Sequence, residues 1–350
     1  MRRVVVLRSF PGASRSGRRD DSGFAGGALG ARRGSMRVAH LSDLHLGYGG
    51  AGRGQGRAND MLRVFQAALR RIAELEPGLV VMAGDVFDHP DVTASPIAVF
   101  SREVRKLRED LPGVVVAIVA GARDTPLDPE RHGPLSVVGA LEAVEVAAAS
   151  VRRLKVAKGK VAVTLVPHGA VAAPRPPSLR PDPRARWNVL VIHAALASGT
   201  APALPVRLRD WDYVALGSNH VRTQVSEKAH YSGSLERIGP DPWGEAAVDK
   251  GFLTVELGSG RVEFSPVEAR AAVSLAPVDA AGGGVATVAR RLGEALAGVP
   301  GGIDGKLVRI PVRGLSAREL AALDRDVLVR IRRRVAQLRI DALPDGVSRT

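Results

Sequence analysis

At 350 residues, with 45% hydrophobic and 25% charged positions, the composition is that of an ordinary soluble globular protein, as one large domain with an appendage or as two domains. No apolar run approaches the about 18 residues of a membrane span, and the absence of cysteine excludes disulfides and thiolate metal sites, so the expectation is a cytoplasmic chain with His, Asp, Glu and Asn as its available ligands. The net charge of +14 points to an acidic partner such as nucleic acid, although 43 Arg against seven Lys in an Ala-, Gly- and Val-rich chain also reads as GC-rich coding.

Residues 1–35 are rich in Gly, Ser and Arg and lack periodicity. They read as a disordered basic extension, or as a tail ahead of a later start at Met36; Asp20 and Asp21 argue against a transit peptide. From Met36 strands alternate with helices. Arg37–Ser42 reads as a buried strand. Met61, Leu62, Phe65, Ala68, Ile72 and Leu75 follow helical spacing, with Asn59 or Asp60 as N-cap and Pro77-Gly78 as the stop. Leu79–Ala83 is the next strand, Ile97, Phe100, Val104 and Leu107 mark a second amphipathic helix, and Val114–Ala120 is a third strand. Further strands are expected at Val161–Val166, Val189–Ile192 and Tyr213–Leu216, with a Pro- and Arg-rich loop at Pro174–Pro183. Gly251–Pro266 reads as two closing strands joined by Gly258-Ser259-Gly260. Beyond Val267 a smaller unit is expected, with a helix at Val285–Leu296, a strand at Lys306–Val312 and a long basic helix or helix pair over Ala317–Ile340. The pattern is α/β, a layered sheet core flanked by helices.

Polar residues gather just past the C-terminal ends of successive strands, where ligands bind in open α/β sheets. They are Asp43 and His45 after the first, Gly84-Asp85-Val86-Phe87-Asp88 after the second, Gly121-Ala122-Arg123-Asp124 after the third, His193 after a later one, and Gly217-Ser218-Asn219-His220 after another. Any one of these also reads as a turn or helix cap. Five in order form a pattern. His40, His132, His168 and His230 read instead as packed or solvated.

This order resembles the calcineurin-like metallophosphoesterases, whose motifs are D-x-H, G-D, G-N-H-D/E, a lone His and G-H-x-H. The flanks His40–Gly47, Ala83–Asp88, Asp212–Gly217, Tyr231–Arg237 and Asp249–Phe252 narrow the resemblance to SbcD-type nuclease subunits of double-strand-break repair. It implies a sandwich of two β-sheets flanked by helices over residues 36–267 and a small α+β cap over 268–350. It also implies a first metal on Asp43, His45, Asp85 and His220, and a second shared by Asp85 and His193. Ala122 stands where the family has Asn and Ser218 where it has His, so the second ion loses two ligands. Arg123 replaces a catalytic His; it keeps its proton at working pH and neutralises phosphate without acid–base chemistry. With Asp85, Arg123 and Asp124 complete the implied catalytic set, Asp124 as a partner for Arg123. Mn²⁺ is the implied ion, with Zn²⁺ or Fe²⁺ as alternatives. The implied partners are DNA, an SMC-like ATPase of the SbcC type and a second copy of the chain; no membrane contact is implied. Three functions stay open: a weakened DNA exonuclease, an inactive scaffold subunit keeping one metal, and a phosphodiesterase for a small nucleotide, against which the repair-type flanks argue. Arg330, Arg332, Arg333 and Arg334 add a basic stripe that reads as a solvated face or a DNA or partner contact.

Overall fold

The computed structural model describes residues 36–49, 55–128, 131–195, 206–239, 241–280, 284–314, 317–324 and 327–343. The expectation for residues 1–35 lies outside them. Strand β1 (Arg37–Leu41) leads to helix α1 (Gln55–Leu75), β2 (Leu79–Met82), α2 (Ala94–Asp110), β3 (Val115–Val119), α3 (Pro134–Leu141) and β4 (Glu145–Ala147). A hairpin of β5 (Arg152–Val156) and β6 (Val161–Val166) follows, then α4 (His168–Val171), β7 (Trp187–His193), β8 (Tyr213–Gly217), β9 (Thr223–Ser226), β10 (Ala229–Tyr231), β11 (Lys250–Glu256) and β12 (Arg261–Val267). The last stretch holds β13 (Ala272–Ser274), β14 (Val278–Asp279), α5 (Gly284–Ala297), β15 (Leu307–Arg313), α6 (Ala317–Asp324), α7 (Val327–Arg332) and β16 (Gln337–Leu343).

Two mixed six-stranded sheets form the body, in the orders β12-β11-β1-β2-β3-β4 and β5-β6-β7-β8-β10-β9. In the first, β1 to β4 run parallel and β11 and β12 close the edge antiparallel; in the second, β6, β7, β8 and β10 run parallel between antiparallel edges. The parallel strands are buried on both faces, which is why they read as continuous apolar runs. Between the sheets Val38, Val81 and Val119 meet Val163, Val189, Val191 and Tyr213. Helices α1 and α2 cover the outside of the first sheet through Phe65 and Phe100, which stack at 5.5 Å, and Phe87 of the loop after β2 packs beside Phe100. Short α4, Leu179 and Trp211 cover part of the second sheet's outer side.

A third, four-stranded sheet pairs β13 and β14 with successive halves of β15, and β16 with all of it. It packs with α5 to α7 around Val288, Leu292, Ile310 and Leu328. Here the sequence expectation is corrected. Of the long basic helix or helix pair expected over Ala317–Ile340, two short helices are present as far as Arg332, and a strand follows where helix was expected. Leu338 and Ile340 recur at a spacing of two and pair with Val308 and Ile310. A second correction concerns α1, which begins at Gln55, so Asn59 and Asp60 lie within it. Asp60 serves instead as acceptor for two arginines, buried Arg57 at 2.7 Å and Arg270 at 2.6 Å. Among the described residues no helix is long and apolar enough to cross a membrane.

Candidate metal centre

The loops after β1 and β2 run side by side. Asp43 N–H donates to Gly84 O at 2.9 Å, His45 N–H to Asp85 O at 3.0 Å and Leu46 N–H to Val86 O at 2.9 Å. This ladder brings the two motifs together, and it bends the backbone sharply: Asp43, His45 and Asp85 have φ of 53°, 45° and 50°. Left-handed conformations are uncommon outside glycine and cluster at functional sites. Ser218, with φ 101°, is a fourth such residue at the same place. Close approach also dictates two glycines. A Cβ at Gly84 would overlap the His193 ring, and one at Gly121 would overlap the Asp85 carboxylate.

Two donor triads result, Asp43–His45–His220 and Asp43–Asp85–His193, each with ligand atoms within 4.8 Å of one another. Asp85 also faces both imidazoles: Oδ1 lies 3.6 Å from His193 Nε2 and Oδ2 lies 3.8 Å from His45 Nε2. The rings are fixed from behind. His193 Nδ1 bonds Ala83 O at 2.8 Å, and His45 Nδ1 bonds Asp88 Oδ1 at 2.9 Å. Both Nε2 atoms are thereby turned towards the carboxylates, and buried His45 Nε2 has no hydrogen-bond partner. An orphaned imidazole nitrogen beside two buried carboxylates is the arrangement a divalent cation satisfies, and the imidazole and carboxylate donors suit one.

Electrostatics agree. Burial alone would lower the pKa of His45, but the Asp88 hydrogen bond and the charges of Asp85, Asp43 and Asp88 raise it. His220 is lowered, chiefly by burial, with Asp43 opposing. Buried Asp124 is pushed up to about 6 by desolvation and the nearby Asp85 charge, against three backbone hydrogen bonds.

Those three bonds correct the role expected of Asp124. It does not pair with Arg123. Its carboxylate accepts Val86 N–H at 3.1 Å, Phe87 N–H at 2.8 Å and Gly121 N–H at 2.9 Å, clamping the loop after β3 onto the loop after β2. Arg123 and Ala122 are exposed, and Arg123 reaches the centre only through its backbone, donating N–H to Asp85 Oδ1 at 2.7 Å. Ser218 likewise donates its backbone N–H to both carboxylate oxygens of Asp43 at 3.2 Å. At both degenerate positions, then, backbone amides face the ligand carboxylates.

Two supporting residues were not legible as such. Lys250, buried at the start of β11, donates to His220 O at 2.8 Å and to Ser234 Oγ at 3.1 Å, and Ser234 N–H donates to the same carbonyl at 3.1 Å. His168 stands edge-on to His193 at 6.2 Å. Of the histidines expected to be packed, His40 is fully buried against Tyr213, 2.8 Å from its hydroxyl, and burial holds its pKa down to about 3.

Comparison with known proteins matches residues 36–199 to the family described as Calcineurin-like phosphoesterase. Three relatives carry the name DNA double-strand break repair protein Mre11. That of Methanopyrus kandleri is 27% identical over 275 residues, covering 71% of this chain and 60% of the relative. Those of Methanococcus maripaludis and Methanocaldococcus jannaschii are 26% and 31% identical over 103 and 105 residues, each covering 29% of this chain and 27% of the relative. The chain thus spans less than two thirds of the length of each.

Proposed function

We propose that the chain, whose residues 36–199 match the calcineurin-like phosphoesterase family and which resembles Mre11 proteins, is a metal-dependent phosphodiesterase acting on DNA in repair, an exonuclease type with weakened catalysis. The observation that carries this is the pair of triads sharing Asp43, buried but for the part-buried His220 and set at the strand ends of both sheets, with His45 Nε2 left for an ion. Asp43, His45, Asp85 and His220 would hold one ion, Mn²⁺ by preference with Zn²⁺ or Fe²⁺ as alternatives. Asp85, His193 and Asp43 would hold a second with fewer protein ligands than the family pattern. The chemistry supplied by such ions is polarisation of a phosphoryl oxygen and activation of water at neutral pH.

The chain's own residues set the limits. Asp88 and the Ala83 carbonyl fix the imidazole tautomers, and the Arg123 side chain at the surface neutralises phosphate charge. No residue of the third motif delivers a proton, since Arg123 keeps its own and Asp124 faces three amides. The exposed Ala122 and the Ser218 substitution also favour a second reading, a DNA-binding or scaffold subunit keeping one metal. Residues 268–350 as a cap, an SMC-like ATPase partner, a homodimer and the reducing cytoplasm suggested by the lack of cysteine belong to the same proposal.

The test is cleavage of linear duplex DNA with Mn²⁺ by the natural chain and by the combined variant Ala122→Asn, Arg123→His, Ser218→His. We expect the restored chain to be at least about 100-fold faster. Equal rates in both would refute the weakening, and no cleavage by either would turn the reading to the scaffold.

A further inference from the structure

The β5–β6 hairpin carries a feature that the metal centre does not use. Of the seven lysines in the chain, Lys155, Lys158 and Lys160 fall within six residues of one another on this hairpin. GC-rich coding accounts for abundant arginine but not for gathering the scarce lysines in one place. All three side chains are exposed, as are Arg152 and Arg153 beside them. The hairpin is the edge of the second sheet, and the Pro- and Arg-rich loop folds over its outer face. Residues 178 and 180–183 of that loop form a ridge between two grooves of about 580 Å³ and about 750 Å³. Arg153, Lys155 and Arg180 line the first; Arg180 and Arg207 line the second. Acidic neighbours are few. Glu145 is taken by Arg152 at 2.5 Å, Asp182 by Lys155 at 3.1 Å, and Asp210 lines the second groove beside Arg207, which leaves the cations in excess.

The hairpin tip is also held in an unfavourable conformation. Ala157 and Lys158 have φ of 52° and 55°, where tight hairpin turns favour Asn-Gly. Among the described residues, non-glycine positive φ occurs at seven positions: four at the metal centre, these two, and Glu76. The tip keeps Lys158 projecting where Asn-Gly would relieve the backbone.

We infer that this outer face of the second sheet, from Lys158 and Lys160 across Arg153 to Arg180 and Arg207, is a binding surface for the phosphate backbone of nucleic acid, separate from the metal centre. A face of exposed cations suits phosphates rather than bases. The inference rests on the nucleic-acid reading above for its partner class, and gives the chain a way to hold duplex outside the reacting strand end.

The test is fluorescence anisotropy of a short labelled duplex DNA with the full chain in EDTA, titrated between about 50 and about 200 mM salt. The combined variant Arg153→Glu, Lys158→Glu, Lys160→Glu, Arg180→Glu is compared with the natural chain and with His193→Ala; the same four positions changed to Gln guard against misfolding by charge reversal. Hydrolysis of bis(p-nitrophenyl) phosphate with Mn²⁺ reports the metal centre independently. The inference predicts at least about tenfold weaker binding and a salt slope smaller by about 3 to 4 for the Glu variant. The Gln variant falls between, His193→Ala binds as the natural chain does, and ester hydrolysis by the Glu variant is unchanged. Unaltered affinity and slope in the Glu and Gln variants overturn the inference. So does a natural chain that binds no DNA, or one whose four cations matter only for phosphatidylserine vesicles. Absence of ester hydrolysis with patch-dependent DNA binding intact would instead sink the phosphodiesterase reading and leave this surface standing.

Discussion

At the scale of single residues, the centre depends on side chains that never touch a substrate. His45 presents Nε2 because Asp88 holds Nδ1 at 2.9 Å. A hydrogen-bond partner on the far nitrogen of a ligating imidazole sets its tautomer and basicity, and its loss typically weakens metal binding by about 10- to 100-fold. Asp88→Ala should therefore weaken Mn²⁺ binding by that factor, measured by isothermal titration, while leaving the fold unchanged; undiminished affinity would show that Asp88 is incidental. The ligand positions themselves were legible in the sequence, since Asp43, His45, Asp85, His193 and His220 each follow an apolar strand. The true work of Asp124 was not. Its partners are backbone amides, two of them 37 and 38 residues away, and no side-chain pattern announces them.

At the scale of elements, β11 does more than close a sheet edge. Lys250 at its start ties the His220 carbonyl to Ser234 and pairs with Glu245 at 2.5 Å. Burial pulls the Lys250 pKa down, opposed by Glu245. Removing one member of a buried pair costs on the order of 3 kcal/mol. Lys250→Met should lower stability by about that amount in urea denaturation, and should weaken Mn²⁺ binding by about tenfold as the His220 loop loosens. A stable variant with natural affinity would contradict this. The long parallel strands were readable because burial on both faces leaves uninterrupted apolar runs. Three-residue β4 and β10 were not, because such short strands are defined by the neighbours they pair with. Nor was β16, because Leu338 follows Val335 at helical spacing while Ile340 follows Leu338 at strand spacing.

At the scale of the whole molecule, two sheets with their strand ends together bring candidate ligands from four separated stretches to one place, and the order of motifs in the sequence pointed to them. The inequality of the two candidate positions was legible as well, in Ala122 and Ser218. The first keeps Asp43, His45 and His220 with Asp85 Oδ2 near His45. The second keeps Asp43, Asp85 and His193, with exposed Ala122 and Ser218 supplying no further side-chain ligand of the family type. Equilibrium binding of Mn²⁺ to the metal-stripped chain measures the proposed asymmetry of the two candidate sites. One tight ion per chain is expected, and a second held at least about 100-fold more weakly. Two ions of equal affinity, or none, would contradict it.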